Sequence, residues 1–279
     1  MIPMKFRSLL IFALTVCVCV LASGRVIAQR LVGFSPRPAF DLRVPSFSDR
    51  DVSRLVTTLD SMLATKKDPD SWTNDAAFTL WDFGRQLQAA QLTSIQEALV
   101  LEHLENVERA HPQSAAVVDK ARYMVSSLTI GKVAPDIVGI DLDGMPLKLS
   151  DYRGKVVLLV FSGDWCGICR TQYPYERLLL ELYQGWPFAI VGVDSGSSPD
   201  GAKQNHVDQH LAYRSWWDGA QMPGGPIASA WNVQGWPTAY LMDADGVIRF
   251  VDLRDEDLLK GVRQLLLETT TPTSKPRTK

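Results

Sequence analysis

Apolar residues recur at helical spacing along the stretch from residue 48 to residue 130. The first run is typical of an amphipathic helix and consists of Val52, Leu55, Val56, Leu59, Met62 and Leu63. A second helix is predicted over residues 74–90. A third begins at Thr93, whose spacing to Gln96 fits a capping box, and a fourth runs from Pro112 to about residue 128. We therefore predict a small all-α region over residues 48–130, made of two helical hairpins.

From Gly131 onward the pattern changes to short apolar runs separated by turn residues. A hairpin is expected around Asp143-Gly144, and the continuous apolar run 156–161 is typical of a strand buried on both faces. A helix is predicted from the cysteines at 166 and 169 to about residue 183. Further strands are expected at 188–193, 239–242 and 247–251, with helices near 200–211 and 255–267. This order predicts an α/β domain over residues 131–268, with a mixed central sheet flanked by helices.

The sequence at both ends of the chain is typical of segments that do not belong to a folded domain. Lys5 and Arg7 precede an apolar run of signal-peptide length over residues 9–22, and small residues follow near position 28. We predict a signal peptide over residues 1–28, with an uncleaved membrane anchor as the alternative. Residues 29–47 are expected to form an extended linker and residues 269–279 a disordered tail. The predicted location is extracytoplasmic, in the periplasm or cell envelope, as a soluble or N-terminally anchored protein.

The net charge and the cysteine content limit the functions that this chain can have. The formal net charge of −2 gives no indication of a nucleic-acid-binding surface, which would be strongly basic. Cys17 and Cys19 lie in the predicted signal peptide, so only Cys166 and Cys169 remain in the mature chain. In an oxidising compartment, a lone pair at this spacing favours a working redox couple, because the loop that it closes is too small to stabilise the fold much.

The cysteines follow the apolar strand through Ser162-Gly163-Asp164-Trp165 and are expected at the start of a helix. The free N–H groups and the dipole of a helix N-terminus favour a thiolate, which is the nucleophile in disulfide exchange. Cys169 would lie one turn deeper and less exposed. We therefore predict that Cys166 attacks a substrate disulfide and that Cys169 resolves the mixed disulfide.

Several motifs over residues 131–268 resemble the thioredoxin superfamily, in particular the exported bacterial ResA/TlpA-like thiol-disulfide oxidoreductases of the AhpC/TSA-redoxin type. They are Gly131-Lys132-Val133-Ala134-Pro135-Asp136, Leu149-Ser150-Asp151-Tyr152-Arg153-Gly154-Lys155, Trp165-Cys166-Gly167-Ile168-Cys169-Arg170 and Gly235-Trp236-Pro237-Thr238. The resemblance implies that Pro237 is cis and faces the cysteines, and that the backbone of Trp236 pairs with a bound substrate strand. With Trp165, Gly167 and Ile168, these residues form the predicted supporting site.

Three positions depart from the pattern of those families. Ile168 replaces the proline that thioredoxins have before the second cysteine, Gln172 replaces a glutamate of many exported relatives, and Val160 replaces the buried aspartate of thioredoxins. No proton-transfer residue is therefore identified from the sequence. We expect Ile168 to make the couple more oxidising than thioredoxin, whose potential is about −270 mV.

Competing functions remain open at this point. A thiol peroxidase is one alternative, although the residues before Cys166 lack the expected Pro and Thr pattern; a Cu(I)-binding module using the two thiolates is another. His206 and His210 are spaced for one face of a helix, but packing or surface roles are favoured over a metal site. No cofactor and no metal are predicted. The expected partners are protein thiols or disulfides and an upstream electron donor or acceptor, with a membrane tether only through the N-terminal segment.

Overall fold

The computed structural model describes residue 42 and residues 46–64, 71–220 and 224–270 of the 279-residue chain. The predicted signal peptide, most of the predicted linker and residues 271–279 lie outside the described residues. Within the described part, no helix is both long and apolar enough to cross a bilayer.

The N-terminal helical region contains four α-helices: α1 (Asp49–Ala64), α2 (Ser71–Gln88), α3 (Ser94–Ala110) and α4 (Ala115–Ser127). Thr93 caps α3 through the predicted capping box, because its side chain accepts from the Gln96 N–H while the Gln96 side chain accepts from the Thr93 N–H. A short 3₁₀ turn, Pro112–Ser114, precedes α4. The apolar stripes of the four helices meet in a shared cluster that includes Val52, Leu59, Leu63, Leu80, Leu87, Val100, Leu104 and Val118.

The α/β part contains a short antiparallel hairpin and a five-stranded mixed sheet. The hairpin strands are β1 (Val138–Ile140) and β2 (Pro146–Lys148), and the sheet strands are β3 (Val156–Gly163), β4 (Phe188–Ser195), β5 (Arg214–Trp217), β6 (Thr238–Met242) and β7 (Ile248–Val251). Their order is β5-β4-β3-β6-β7. The first three are parallel, whereas β6 is antiparallel to both β3 and β7. The predicted α/β class with a mixed central sheet is confirmed.

Strand β3 lies in the middle of the sheet, and its alternate residues enter two different cores. Val156, Leu158 and Val160 pack with residues of α5 (Tyr173–Leu182) and α8 (Asp255–Thr270). Val157, Leu159 and Phe161 pack on the other face with Met124 and Leu128, at the end of α4, and with Trp231. The helical region therefore contributes to one of the two cores of the sheet, and the described residues form one compact unit. The division at residue 130 stays a prediction.

Two further helices complete the fold, α6 (Pro199–Asp208) and the short α7 (Pro226–Ala230). The sequence pattern did not predict α7 or strand β5. Strand β5 has four residues at the sheet edge, of which the middle two are buried and the outer two exposed, so neither an alternating nor a continuous apolar pattern marks it.

Candidate active site

Cys166 and Cys169 form a disulfide immediately after strand β3, with their Cα atoms 5.2 Å apart. The Cys166 N–H donates to the Gly163 carbonyl at 3.0 Å, which turns the chain away from the strand. The Cys169 N–H lies 3.1 Å from the Cys166 carbonyl oxygen and also donates to Cys166 Sγ at 3.1 Å. Both cysteines are buried, at 3% and 1% relative exposure. One backbone donor is thus already directed at the sulfur of Cys166.

The prediction that a helix runs from the cysteines is wrong in its starting point. A 3₁₀ turn covers Cys169–Thr171, and α5 begins at Tyr173. Pro174 stands in the first turn of α5, where its missing N–H has no consequence. Deeper inside a helix that began at Cys166, the same proline would remove a hydrogen bond and clash with the carbonyl four residues earlier.

Aromatic side chains surround the disulfide. Tyr173 and Leu211 are buried against it, and Trp165, Tyr213 and Trp236 are partly buried beside it. The Trp165 and Trp236 rings meet edge to face with centroids 5.6 Å apart. Trp165 is fixed further by a 3.1 Å hydrogen bond from its Nε1 to the Ser195 carbonyl. Thus the structure brings Trp165 and Trp236, two of the sequence-predicted residues, together at the cysteines.

Gly163 allows Trp165 to pack this closely. A Cβ at position 163 would lie 2.5 Å from Trp165 Nε1 and 2.6 Å from the Ser195 carbonyl oxygen. No real side chain would fit there without displacing the indole.

The other predicted residues lie at the rim of the site. The Trp236-Pro237 peptide bond is cis, and the Pro237 carbonyl accepts a 2.7 Å hydrogen bond from Arg254 Nη2. Gly167 is exposed, and Ile168 is 64% exposed despite its apolar side chain. The disulfide is thus buried on its protein side, while the two residues between the cysteines face solvent.

Gln172 has a structural partner. Its Nε2 donates to Asp255 Oδ1 at 3.0 Å, and its Oε1 accepts from the Asp255 N–H at 3.1 Å. This reciprocal pair ties the turn after the cysteines to the start of α8. Val160 lies in the apolar cluster between the sheet and α8.

A buried carboxylate that the sequence did not reveal lies behind the aromatic side chains. Glu176 on α5 is 2% exposed and accepts a 2.8 Å hydrogen bond from Tyr213 Oη. Burial raises the pKa of Glu176 to about 7, although the Tyr213 hydrogen bond opposes the shift. Because Tyr213 also packs against the cysteines, it connects this carboxyl group with the disulfide. No local motif marks Glu176, since its partner is 37 positions away.

A second buried polar group involves His206, one of the two histidines considered above. His206 Nε2 lies 2.7 Å from Asp194 Oδ2, and Ser215 Oγ donates to the same oxygen. Burial lowers the pKa of His206, but the hydrogen bond and charge of Asp194 outweigh it, so the pKa is raised overall. His210 lies beyond the end of α6, in a left-handed conformation at φ 53°, so the expected pair on one helix face is not formed. No group of three or more His, Cys, Asp or Glu residues suited to a metal ion occurs in the described ranges.

Comparison with known proteins places these features in a family. Residues 130–251 match the model of the AhpC/TSA family. Thiol-disulfide oxidoreductase ResA of Bacillus thuringiensis subsp. konkukian (strain 97-27) is 32% identical over 143 residues, which cover 51% of this chain and 80% of that protein. The chain belongs to the ResA-like thiol-disulfide oxidoreductases of the thioredoxin superfamily. Among other ResA-like proteins, ResA of Bacillus subtilis (strain 168) is 28% identical over 127 residues, covering 44% of this chain and 66% of that protein.

Similar solved structures each cover about half of this ResA-like chain. A putative thiol:disulfide interchange protein DsbE from Chlorobium tepidum has a TM-score of 0.44 and 28% identity, covering 51% of this chain and 99% of the other. The thioredoxin domain of a thiol-disulfide oxidoreductase from Bacteroides vulgatus has a TM-score of 0.45 and 29% identity, covering 50% and 99%. The helical region lies outside the span matched by the family model.

Proposed function

We propose that Cys166 and Cys169 are the redox couple of this oxidoreductase and exchange disulfides with protein substrates. The observation that carries the proposal is the disulfide between them, set beneath two solvent-facing residues and against a cluster of aromatic side chains. The reduced form would hold two thiols just below the exposed residues 167 and 168, with the Cys169 N–H directed at the sulfur of Cys166. A thiolate at that atom accepts such a hydrogen bond better than a thiol does.

In the proposed reaction the Cys166 thiolate attacks one sulfur of a substrate disulfide. A new S–S bond forms to Cys166, and the other substrate sulfur leaves as a thiolate. The Cys169 thiolate then attacks Cys166 Sγ, which forms the Cys166–Cys169 disulfide and releases the second substrate thiol. The substrate gains two electrons and two protons in total, and an upstream dithiol donor would restore the reduced pair. The reverse sequence oxidises a substrate dithiol and requires an electron acceptor.

The rim of the site is proposed as the substrate-binding surface. Gly167 and Ile168 are exposed, Trp165 and Trp236 pack partly buried against the cysteines, and a cis peptide bond joins Trp236 to Pro237. An extended segment could pair with the backbone of Trp236 while its disulfide approaches Cys166. The exposed apolar side chain of Ile168 favours a substrate segment with apolar residues beside its cysteine.

The location of the reaction is proposed from the N-terminal segment and the family. An apolar run after two basic residues favours export, so we place the domain in the periplasm or cell envelope, soluble after cleavage or tethered through the uncleaved segment. Mass spectrometry of the protein from a membrane-separated extract tests this point. Export with cleavage predicts a mature N-terminus near residue 29, whereas a chain that starts at Met1 and sediments with membranes would indicate a tether.

The experiment that tests the separate roles of Cys166 and Cys169 is the trapping of a mixed disulfide. In Cys169→Ser, the mixed disulfide between Cys166 and a peptide disulfide should accumulate, because no second thiol resolves it. The matched control is Cys166→Ser. This variant also keeps one thiol, that of Cys169, but should form the mixed disulfide with the peptide much more slowly. Non-reducing mass spectrometry identifies the linked cysteine. Adducts of equal amount in both variants would argue against separate attacking and resolving roles.

The AhpC/TSA match specifically favours one second candidate, reduction of a peroxide. In that reaction the Cys166 thiolate would attack one peroxide oxygen, the O–O bond would break, and the other oxygen would leave as hydroxide and take up a proton. The resulting sulfenic acid would condense with the Cys169 thiol to the same disulfide with loss of water. The wild-type chain with a dithiol donor can be assayed for hydrogen peroxide consumption beside disulfide reduction. Fast peroxide turnover without disulfide exchange would make the peroxidase the better assignment.

A further inference from the structure

The segment of residues 252–255, between β7 and α8, forms an unusual connection next to the proposed active site. Asp252 and Asp255 both adopt left-handed backbone conformations, at φ 57° and φ 51°. Such conformations are uncommon outside glycine and persist where surrounding contacts enforce them. Asp252 is fixed to β6 by two hydrogen bonds, from its N–H to the Ala239 carbonyl at 2.7 Å and from the Ala239 N–H to its Oδ1 at 2.8 Å. We refer to residues 252–255 as the connector.

On one side the connector contacts two segments near the disulfide: the loop that ends at Pro237 and the turn that contains Gln172. Arg254 Nη2 donates to the Pro237 carbonyl at 2.7 Å and to Asp252 Oδ1 at 3.1 Å. Asp255 makes the reciprocal pair with Gln172 in the turn after the cysteines. The two loops are thus fixed relative to each other through one short segment.

On its other side the connector is held by the helical region. Arg85 on α2 forms an ion pair with Asp252 Oδ2, the carboxylate oxygen not used by Arg254. Both side chains of this pair are only about a quarter exposed, at 24% and 22%. We call residues 231–237, which precede β6 and contain the cis peptide bond, the proline loop. One carboxylate is therefore shared by an arginine of the helical region and an arginine that holds the proline loop.

The helical region also fixes the chain just before Pro237. Trp81 Nε1 donates to the Asn232 carbonyl at 3.2 Å, and the Asn232 side chain donates to the sulfur of Met124 on α4. Asn232 is 5% exposed and has a left-handed backbone at φ 49°. Two separate helices thus contact the loop that leads into the cis peptide.

We propose that the helical region positions the proline loop for disulfide exchange, acting through Arg85, Asp252 and Arg254 on the Pro237 carbonyl. The inference rests on the proposed function, because it assigns to these residues an effect on the reaction of Cys166 with a substrate disulfide. A loop that must pair with a substrate backbone tolerates little displacement, since small errors in geometry slow bimolecular chemistry strongly. Arg85 and Asp252 are positioning residues, and neither needs to touch the substrate.

The test compares two reactions of Cys166 in the full chain. One is exchange with a synthetic peptide that contains a disulfide, which uses the proline loop. The other is alkylation of the reduced protein by iodoacetamide, a reagent too small to need that loop. In Arg85→Gln we expect the rate constant for the peptide to fall about tenfold, while alkylation stays within about twofold of wild type.

The matched control is Arg122→Gln. Arg122 is also a partly buried arginine of the helical region, 28% exposed, but it pairs with Glu108 and Asp119 inside that region. It should change neither rate by more than about twofold. Arg85→Lys keeps a cation near Asp252 and should recover part of the peptide rate, and it replaces Arg85→Gln if the latter does not fold.

A double-variant cycle tests whether the effect passes through one path. Arg254→Gln should slow the peptide reaction as much as Arg85→Gln or more, and the double variant should be no slower than the worse single variant. Fully additive losses, a peptide rate unchanged in folded Arg85→Gln, or equal slowing of alkylation would each overturn the inference. A wild-type chain that does not exchange with the peptide at all would instead overturn the proposed function on which it rests.

Discussion

Glu176 is a buried carboxyl group whose pKa the fold shifts into the neutral range. It is buried on α5 and bonded to Tyr213, and its other charged neighbours are Asp194, His206 and Arg254. Its pKa rises from 4.5 to about 7 on folding. Between these values the folded chain holds a proton that the unfolded chain has released. The stability that this carboxyl group contributes is therefore complete below pH 4.5 and is lost as the pH rises through about 7.

We predict that Glu176→Gln removes this pH dependence. The amide keeps an acceptor for Tyr213 but has no charge to bury. The free energy of unfolding of the variant should therefore exceed that of wild type by an amount that grows between pH 5 and pH 8, to on the order of 3 kcal/mol. Urea denaturation across this range measures it. Glu181→Gln, on the exposed side of the same helix, is the control. Parallel pH profiles for Glu176→Gln and wild type would contradict the burial argument.

The residues of the site differ in how well they can be predicted from the sequence. The spacing of Cys166 and Cys169 marks them in the sequence, whereas Trp236 and Pro237 are marked by a motif that resembles the thioredoxin superfamily. Glu176 depends on Tyr213, 37 positions away. Only the fold brings such partners together, so no local sequence pattern indicates them.

Among the elements, the tie between the turn after the cysteines and α8 explains the residue at position 172. Gln172 suits this place because it offers one donor and one acceptor to Asp255. In Gln172→Glu the donor becomes a second carboxylate oxygen beside Asp255 Oδ1, and like charges at that distance destabilise the ionised form.

We predict that Gln172→Glu loses about 1–3 kcal/mol of unfolding free energy at neutral pH. The loss should shrink as the pH falls below the range in which the introduced carboxyl group ionises, since the protonated form can again donate. Gln172→Met, a neutral control of similar size, should lose stability without that pH dependence. Equal losses at pH 4 and pH 7 in Gln172→Glu would show that charge is not the cause.

A helix or strand is predicted correctly where its own residues carry the pattern, and is missed where its burial depends on residues of other elements. Strand β3 appeared as a continuous apolar run because both of its faces are buried. Strand β5 was missed, since Ser215 and Trp216 owe their burial to neighbours on other elements. The cysteine motif predicts too early a start for α5, because Pro174 is compatible with the first turn of a helix but not with its interior.

For the whole molecule, the shared core implies that the helical region and the sheet unfold together. Met124 and Leu128 from the helical region lie in the same cluster as Phe161, Trp231 and Tyr240. Gln88 on α2 also donates to Tyr240 Oη and to the Leu128 carbonyl, both at 3.2 Å. Separating the two parts would expose this cluster to water.

We predict a single cooperative transition in urea. The far-UV signal of the helices and the near-UV signal of the tryptophans should coincide, with one midpoint. A helical signal that disappears first, while the tryptophan environment persists, would contradict a common core and weaken the role assigned to Arg85.

The central claim is that Cys166 and Cys169 form a reversible two-electron couple, and its most direct test is the redox equilibrium of the wild-type chain with glutathione. The fraction of disulfide, quantified by thiol labelling and mass, should follow a two-electron curve from either direction, at a potential above that of thioredoxin, about −270 mV. A chain that stays oxidised or stays reduced across all ratios of glutathione to its disulfide would contradict the account.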